Sequence, residues 1–301
     1  METRRRIMPV FAAPLRALAL AAAMLACAPA PAQPYGQGLL WRVEKPGAAP
    51  SHLFGTIHLD DRRVTNLPPP VQQALDGARS FTLEVSLEPP NVVELASRMV
   101  YSDGRTLPQA TGDDLYRRVV PLLEKNGLPE PAVRMFKPWA VMLLLVMPQQ
   151  NTAEVLDFRL LRAAQARGLP VRELETVGDQ VAAFERLSER DQVALLRQTV
   201  DTHARFPQLT ERLVGAYLQR DLAAMWRINE EQSAGRPELA GVSGQFAQKL
   251  VFDRNRLMAE RMQPQLAAGG AFVALGALHL YGEQGVLRLL ERQGWRVIRI
   301  Y

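Results

Sequence analysis

The sequence is poor in cysteine and in histidine. Among 301 residues there is one cysteine, Cys27, and there are four histidines. A single thiol cannot form an intramolecular disulfide, so a disulfide framework is excluded. Because Cys27 lies within a predicted leader, the mature chain is also expected to hold no thiol nucleophile. The position of each histidine therefore becomes informative.

Long hydrophobic runs are scarce as well, and one of them belongs to the leader. Residues 1–32 are predicted to be a secretory signal peptide, with arginines at 4–6, an apolar run at 17–26 and an A-x-A-like cleavage site just before Gln33. This apolar run is too short for a permanent membrane anchor. The protein is therefore expected to be exported to the periplasm. Cys27 leaves two alternatives open, a lipid anchor at this residue or a freely soluble protein.

The predicted mature chain has only a small excess of one sign of charge. The whole sequence has a net charge of +5 and a pI near 9.6, but the leader contributes +3 of that charge and leaves +2. The basic pI therefore belongs largely to the leader, and a nucleic-acid partner is not expected. A second apolar run, at 139–147, is also too short to span a bilayer, and it predicts a buried core helix or an interface. No transmembrane helix is expected after removal of the signal peptide.

The order of predicted strands and helices indicates an α/β (α+β) fold. Alternating apolar patterns predict strands at 38–44, 51–58, 80–85, 171–176, 271–278 and 295–300. Helical patterns occupy about 90–168 and 178–267. We therefore expect a single domain over residues 33–301, in which a central sheet is built from both chain ends and holds a large helical insertion.

One short motif occurs twice, once near each end of the chain. Residues 53–59 read L-F-G-T-I-H-L, and residues 274–280 read A-L-G-A-L-H-L. In both copies an apolar strand runs into Gly-x-x-His-Leu, with the histidine at His58 and at His279. Glycine at a strand end permits the close approach of another backbone or of a ligand, or a bulge that redirects the histidine.

Four side chains with metal-binding or acid–base chemistry are expected at the carboxyl ends of strands. In open α/β sheets these ends line the ligand crevice. Two imidazoles and two carboxylates meeting there would suit a divalent metal such as Mn, Co or Zn. Such a metal activates water, and a neighbouring carboxylate can act as general base. The candidate ligands are His58, His279, Glu84 and Glu175.

Structural roles remain open for each of these residues. A histidine at a strand end can be a hydrogen-bonded structural residue, and Glu84 can face outward from a half-exposed edge strand. Glu175 alternates with Glu173, so either carboxylate can be simply solvated. Arg254 and Asn255 lie in a predicted helix. They could contact a substrate or an oxyanion, or they could belong to an ion-pair cluster.

These motifs, taken in order, resemble the TraB/PrgY/GumN family, which includes the Tiki metalloproteases. The resemblance runs from Trp41 to Ile300. It rests on both Gly-x-x-His motifs, on Glu84, on the stretch from 168 to 176 (G-L-P-V-R-E-L-E-T), on D-R-N at 253–255 and on L-Y-G-E-Q-G at 280–285.

The resemblance implies a divalent-metal-dependent protease whose active site holds His58, His279 and Glu84. It also implies a fold related to haem-binding ChaN-like proteins and to erythromycin-esterase-like enzymes, so that the fold alone does not define the chemistry. Our first hypothesis is an exported metal-dependent hydrolase, a peptidase acting on a peptide or protein substrate. Its catalytic candidates are Glu84, Arg254 and Asn255. The alternative is a non-catalytic periplasmic or surface protein that sequesters a peptide, metal or haem in the same crevice.

Overall fold

The central sheet is assembled from short apolar segments at both ends of the chain. The structure is a computed structural model that describes residues 33–86, 88–147, 154–234, 241, 244 and 247–301. Within these residues six strands form one sheet, in the order β4–β3–β5–β2–β1–β6. Their bounds are β1 Leu40–Glu44, β2 Ser51–Thr56, β3 Ser80–Leu83, β4 Val171–Glu173, β5 Ala271–Gly276 and β6 Arg296–Arg299.

The four strands β4, β3, β5 and β2 run parallel to one another. β5 pairs in parallel with both β2 and β3, and β3 pairs in parallel with β4. β1 forms an antiparallel hairpin with β2, and β6 is antiparallel to β1. Because parallel strands end on the same side, the carboxyl ends of these four strands share one edge of the sheet. The predicted α/β class is confirmed, with a mixed sheet.

Helices surround the sheet and supply most of the chain between β3 and β5. Proline in the first turn begins many of them, as expected from its fixed φ and missing N–H. Those described are α1 Arg62–Thr65, α2 Pro69–Asp76, α3 Pro89–Met99, α4 Leu107–Thr111, α5 Asp113–Glu124, α6 Glu130–Val133, α7 Pro138–Val146, α8 Leu156–Ala166, α9 Val177–Glu185, α10 Glu189–Thr202, α11 Phe206–Leu218, α12 Leu222–Ala234, α13 Asp253–Arg261, α14 Gln263–Ala268 and α15 Val286–Arg292. A π-helical turn at Gln248–Phe252 leads into α13, and a 3-10 turn at Ala277–Leu280 follows β5.

Two hydrophobic clusters stabilise the structure. The first surrounds the sheet, where Phe272 of β5 lies 6.1 Å from the rings of both Phe54 and Phe81. The second lies among the helices of the insertion, where Trp139 is fully buried and stacks on Phe184 at 5.3 Å. α7, which carries Trp139, is therefore a buried core helix, which is one of the two alternatives that the sequence left open.

Several sequence predictions lie outside the described residues. The signal peptide, its cleavage site and Cys27 fall within residues 1–32, so these predictions stand as predictions. Residues Pro34–Tyr301 form one compact unit. Within the described part of the chain, no helix combines the length and the apolar character that a membrane span requires.

Candidate functional site

The first Gly-x-x-His motif places His58 just beyond the end of β2. Its side chain is 62 % exposed, yet Nδ1 lies 2.8 Å from Oδ2 of Asp157 in the first turn of α8. Since a carboxylate only accepts hydrogen bonds, Nδ1 carries a proton in both the charged and the neutral ring. The other oxygen of Asp157, Oδ1, accepts from the Thr56 hydroxyl at 2.6 Å. One buried carboxylate thus binds two side chains of the same motif.

The second motif places His279 in the 3-10 turn after β5, where it is 8 % exposed. Its Nδ1 lies 2.6 Å from Oδ1 of Asn255. The amide nitrogen of Asn255 donates to the carbonyl oxygen of Gln284 at 2.8 Å, so the amide oxygen is the atom that faces the imidazole. Nδ1 of His279 therefore carries the proton, and Nε2 carries the lone pair.

Glu84 follows β3 directly, and its two carboxylate oxygens have different partners. Its Oε1 accepts from the backbone N–H of Gly276 at 2.7 Å and lies 3.8 Å from Nε2 of His279. Its Oε2 accepts from Nη2 of Arg254 at 2.7 Å. The carboxylate is thereby fixed in one orientation, with Oε1 on the histidine side.

Glu175, beyond the end of β4, forms a buried ion pair with Arg254. Nε and Nη2 of Arg254 donate to the two carboxylate oxygens at 2.8 Å and 2.6 Å. The Glu175 side chain is fully buried, and Gln180 lies 3.4 Å from both Glu84 and Glu175. Such bidentate pairs are geometrically specific. Arg254 therefore pairs with two carboxylates at once, Glu84 and Glu175, and holds both in place.

The space between the histidines and Glu84 lies over Gly276. A Cβ at this residue would stand 3.3 Å from Oε1 of Glu84, 3.4 Å from Cδ2 of His279 and 3.9 Å from Nε2 of His58. The missing side chain thus opens a cradle, defined here as the space over Gly276 bounded by these three residues. Two imidazole nitrogens and a carboxylate oxygen are suitable zinc, cobalt or manganese ligands.

The distances between the donor atoms show how closely the cradle could surround a metal ion. The 3.8 Å between Nε2 of His279 and Oε1 of Glu84 is close to the about 3.4 Å that separates two ligands of a tetrahedral metal. Among the described residues, no group of three or more histidine, cysteine, aspartate or glutamate side chains is placed to hold a metal ion as it stands. The cradle is therefore wider than a closed three-ligand site, although its donor chemistry fits a divalent metal.

The glycine of the first motif has a different role. A Cβ at Gly55 would lie 3.0 Å from Cα of Ala277 and 2.9 Å from Cδ1 of Leu280. Gly55 therefore allows β2 to pack closely against the 3-10 turn that carries His279. Its carbonyl oxygen accepts from the buried hydroxyl of Tyr217 at 2.9 Å. The first glycine serves packing, whereas the second opens the cradle.

The protonation states of the two histidines are driven in opposite directions. The charge of Asp157 raises the pKa of His58 to about 9, although solvent around this exposed ring screens the pair. Burial lowers the pKa of His279 to about 4. Burial alone would raise the pKa of Glu84, but Arg254 and the imidazoles outweigh it and lower this pKa to about 2. Near neutral pH the cradle thus holds an ionised carboxylate beside a neutral His279.

The structure brings the sequence-predicted residues His58, Glu84, Glu175, Arg254, Asn255 and His279 to the same edge of the sheet. Their contacts differ in kind, because Arg254 and Asn255 bind Glu84 and His279 rather than facing an open space. Sequence reasoning missed Asp157. The only signal in the sequence was an acidic residue in the first turn of a helix, which is common because the helix dipole favours negative charge there.

Comparison with known proteins identifies the family of the chain. The model of the TraB/PrgY/gumN family matches residues 39–299, and the chain belongs to this family. No solved structure matches the chain, so the expected likeness to ChaN-like and erythromycin-esterase-like folds stays a prediction.

Sequence identity to individual relatives is low. The chain is 27 % identical to Metalloprotease TIKI2 of Danio rerio over 86 % of this chain and 60 % of that protein. It is 27 % identical to Metalloprotease TIKI2 of Xenopus tropicalis, with 86 % and 59 % covered. The uncharacterized protein YbaP of Shigella flexneri is 24 % identical, with 82 % and 89 % covered. The chain therefore spans about 60 % of the length of these metalloprotease relatives.

Proposed function

We propose that this protein is an exported, divalent-metal-dependent hydrolase that cleaves peptides or proteins. The observation that carries the proposal is the cradle over Gly276, where Nε2 of His58, the ring of His279 and Oε1 of Glu84 surround a space that any side chain would fill. The metalloprotease relatives support the same reading.

In this proposal His58, His279 and Glu84 hold Mn, Co or Zn. A divalent metal with an open coordination position supplies an activated water near neutral pH when bound. Glu84 fits the role of ligand better than that of general base, because a carboxylate with a pKa of about 2 is a weak proton acceptor near pH 7. Its negative charge offsets that of the cation.

In this proposal the remaining sequence-predicted residues orient the metal ligands. Asn255 holds Nδ1 of His279, and Arg254 holds Oε2 of Glu84. Glu175 in turn orients Arg254 through both of its carboxylate oxygens. Partners of this kind fix tautomer and ring orientation in metal sites. The earlier expectations that Glu175 ligates the metal, and that Arg254 and Asn255 contact substrate, stay predictions.

An apolar helix lining the crevice would favour the alternative of a non-catalytic binding protein. Trp139 of α7 packs instead against Phe184 in the core of the insertion. That contact gives the alternative no support.

Metal analysis and peptide cleavage test the proposal together. The purified protein is expected to bind about one equivalent of Mn, Co or Zn, and to cleave members of a peptide library only when chelator is absent. His58→Ala and His279→Ala are each expected to abolish both properties, whereas His203→Ala is the matched control and retains them. Full metal occupancy in both site variants would overturn the metal site. Metal binding without any cleavage would favour the binding protein.

A further inference from the structure

The His58 side chain is exposed, yet it is hydrogen-bonded to a nearly buried carboxylate. An exposed side chain normally samples several rotamers, and holding it in one of them costs conformational entropy. The His58 side chain is 62 % exposed, whereas the side chain of its partner Asp157 is only 10 % exposed. The fixed end of this pair is thus the carboxylate, and the solvent-facing end is the imidazole.

Three contacts tie the start of α8 to the residues around His58. The Thr56 hydroxyl donates to Oδ1 of Asp157 at 2.6 Å, and Nδ1 of His58 lies 2.8 Å from Oδ2. The backbone N–H of Leu156 donates to the carbonyl oxygen of Leu59 at 3.1 Å. These contacts lie before, at and after His58 along the chain.

The geometry points to Asp157 as a positioning residue of the proposed metal site. It fixes His58 in the Nδ1-protonated tautomer and holds the ring with Nε2 toward the cradle. This inference rests on the proposed function for its consequence, which is metal binding, but its structural content concerns the His58 ring alone. Carboxylates that bind the far nitrogen of a ligand histidine raise its basicity and fix its orientation.

A purely structural role for Asp157 makes different expectations. In that case His58 and Thr56 would exist to satisfy a buried carboxylate, and replacing Asp157 would lower only the stability of the fold. The two roles are therefore separated by metal affinity and by the His58 tautomer. Neither quantity follows from a general loss of stability.

The first measurement is the affinity for Co²⁺ alone, determined by titration calorimetry. Asp157→Asn keeps the size of the side chain but replaces the carboxylate with an amide, and it is expected to weaken Co²⁺ binding by about 10- to 100-fold. Asp191→Asn is the matched control, because Asp191 is also a first-turn aspartate whose carboxylate accepts from a hydroxyl, that of Ser188 at 2.7 Å. This control is expected to leave Co²⁺ affinity unchanged.

The second measurement is the tautomer of His58 in the metal-free protein, read from nitrogen-15 NMR of labelled histidine at alkaline pH, where the ring is neutral. With only four histidines, the His58→Gln variant identifies the resonance. The wild-type ring is expected to carry its proton on Nδ1, and Asp157→Asn is expected to shift the population toward Nε2. If Asp157→Asn does not fold, Thr56→Val loosens the same carboxylate and is expected to give a smaller, severalfold loss of affinity.

Two results would overturn the inference. One is an Nε2-protonated His58 in the wild type, and the other is Co²⁺ affinity that is unchanged in folded Asp157→Asn. A wild-type protein that binds none of Mn²⁺, Co²⁺ and Zn²⁺ would instead refute the proposed function. In that event the tautomer measurement still decides whether Asp157 orients His58.

Discussion

Glu84 Oε1 accepts a hydrogen bond from the backbone N–H of Gly276 at 2.7 Å. This contact links the end of β3 to the glycine of the second Gly-x-x-His motif, at the end of the neighbouring strand β5. Because residue 276 is a glycine, no side chain stands between the Glu84 carboxylate and the two imidazoles. The catalytic proposal depends on this relationship, because the same glycine orients Glu84 and opens the cradle.

Adding one methyl group at Gly276 is expected to weaken metal binding without unfolding the protein. In Gly276→Ala the new Cβ would stand 3.3 Å from Oε1 of Glu84 and 3.4 Å from Cδ2 of His279, so it would occupy the cradle. We expect Co²⁺ affinity to fall by about tenfold or more, and the free energy of unfolding to change by less than about 1 kcal/mol.

Gly55→Ala is the matched control, because its Cβ would meet the backbone of Ala277 at 3.0 Å. Crowding in a packed interior typically costs about 1–3 kcal/mol, so this variant is expected to lose stability. Titration calorimetry and urea unfolding of both variants make the comparison. Undiminished Co²⁺ binding by Gly276→Ala would contradict the placement of the metal.

The two buried glutamates are expected to differ in their effect on metal content. Glu84→Gln removes a proposed ligand, so we expect the metal to be lost from the purified protein. Glu175→Gln is expected to retain about one equivalent, because both oxygens of Glu175 bind Arg254. Breaking this buried pair should nevertheless destabilise the fold by about 3 kcal/mol. Metal analysis and urea unfolding distinguish the variants, and a folded Glu175→Gln without metal would restore Glu175 as a ligand.

Two buried threonines are expected to respond in opposite ways to the same substitution. The Thr82 hydroxyl in β3 has no hydrogen-bond partner within the described part of the chain. Thr82→Val removes this unsatisfied group from a strand, so we expect stability to rise by about 1 kcal/mol. Thr56→Val removes the hydroxyl that binds Asp157 at 2.6 Å and should cost about 1–3 kcal/mol. Thermal and urea unfolding test the pair, and a shift of the same sign in both variants would contradict the expectation.

Acidification is expected to destabilise the metal-free protein through His279. Burial lowers the pKa of His279 from 6.5 to about 4, so the native state keeps the ring neutral while the unfolded state gains a proton below about pH 6.5. The stability present above pH 6.5 is therefore lost as the pH falls through 4, by a total of about 3 kcal/mol.

Urea unfolding in the presence of chelator, at pH 7 and at pH 4, measures this effect. His279→Gln should show a smaller drop than the wild type. Burial also lowers the pKa of His52, which acts in the same direction in both proteins and therefore cancels in the comparison. An equal drop in the two proteins would show that His279 is not held neutral.

The sequence by itself predicted the edge of the sheet where the site forms. Alternating apolar residues marked the strands that end near His58, Glu84, Glu175 and His279, and parallel strands bring such ends together. The duplicated Gly-x-x-His motif then identified which two of the four histidines belong there. Each of these features lies within a short run of consecutive residues, so the sequence alone is enough to recognise it.

Only the tertiary structure decided what each of these side chains binds. Asp157 lies 99 residues from His58 in the sequence, and Arg254 lies 170 residues from Glu84. Apolar periodicity shows which face of a helix is buried, but it does not show where that helix docks. Docking of α8 and α13 depends on side-chain packing across the whole core. This packing placed Asp157 beside His58 and made Arg254 and Asn255 the anchors of Glu84 and His279.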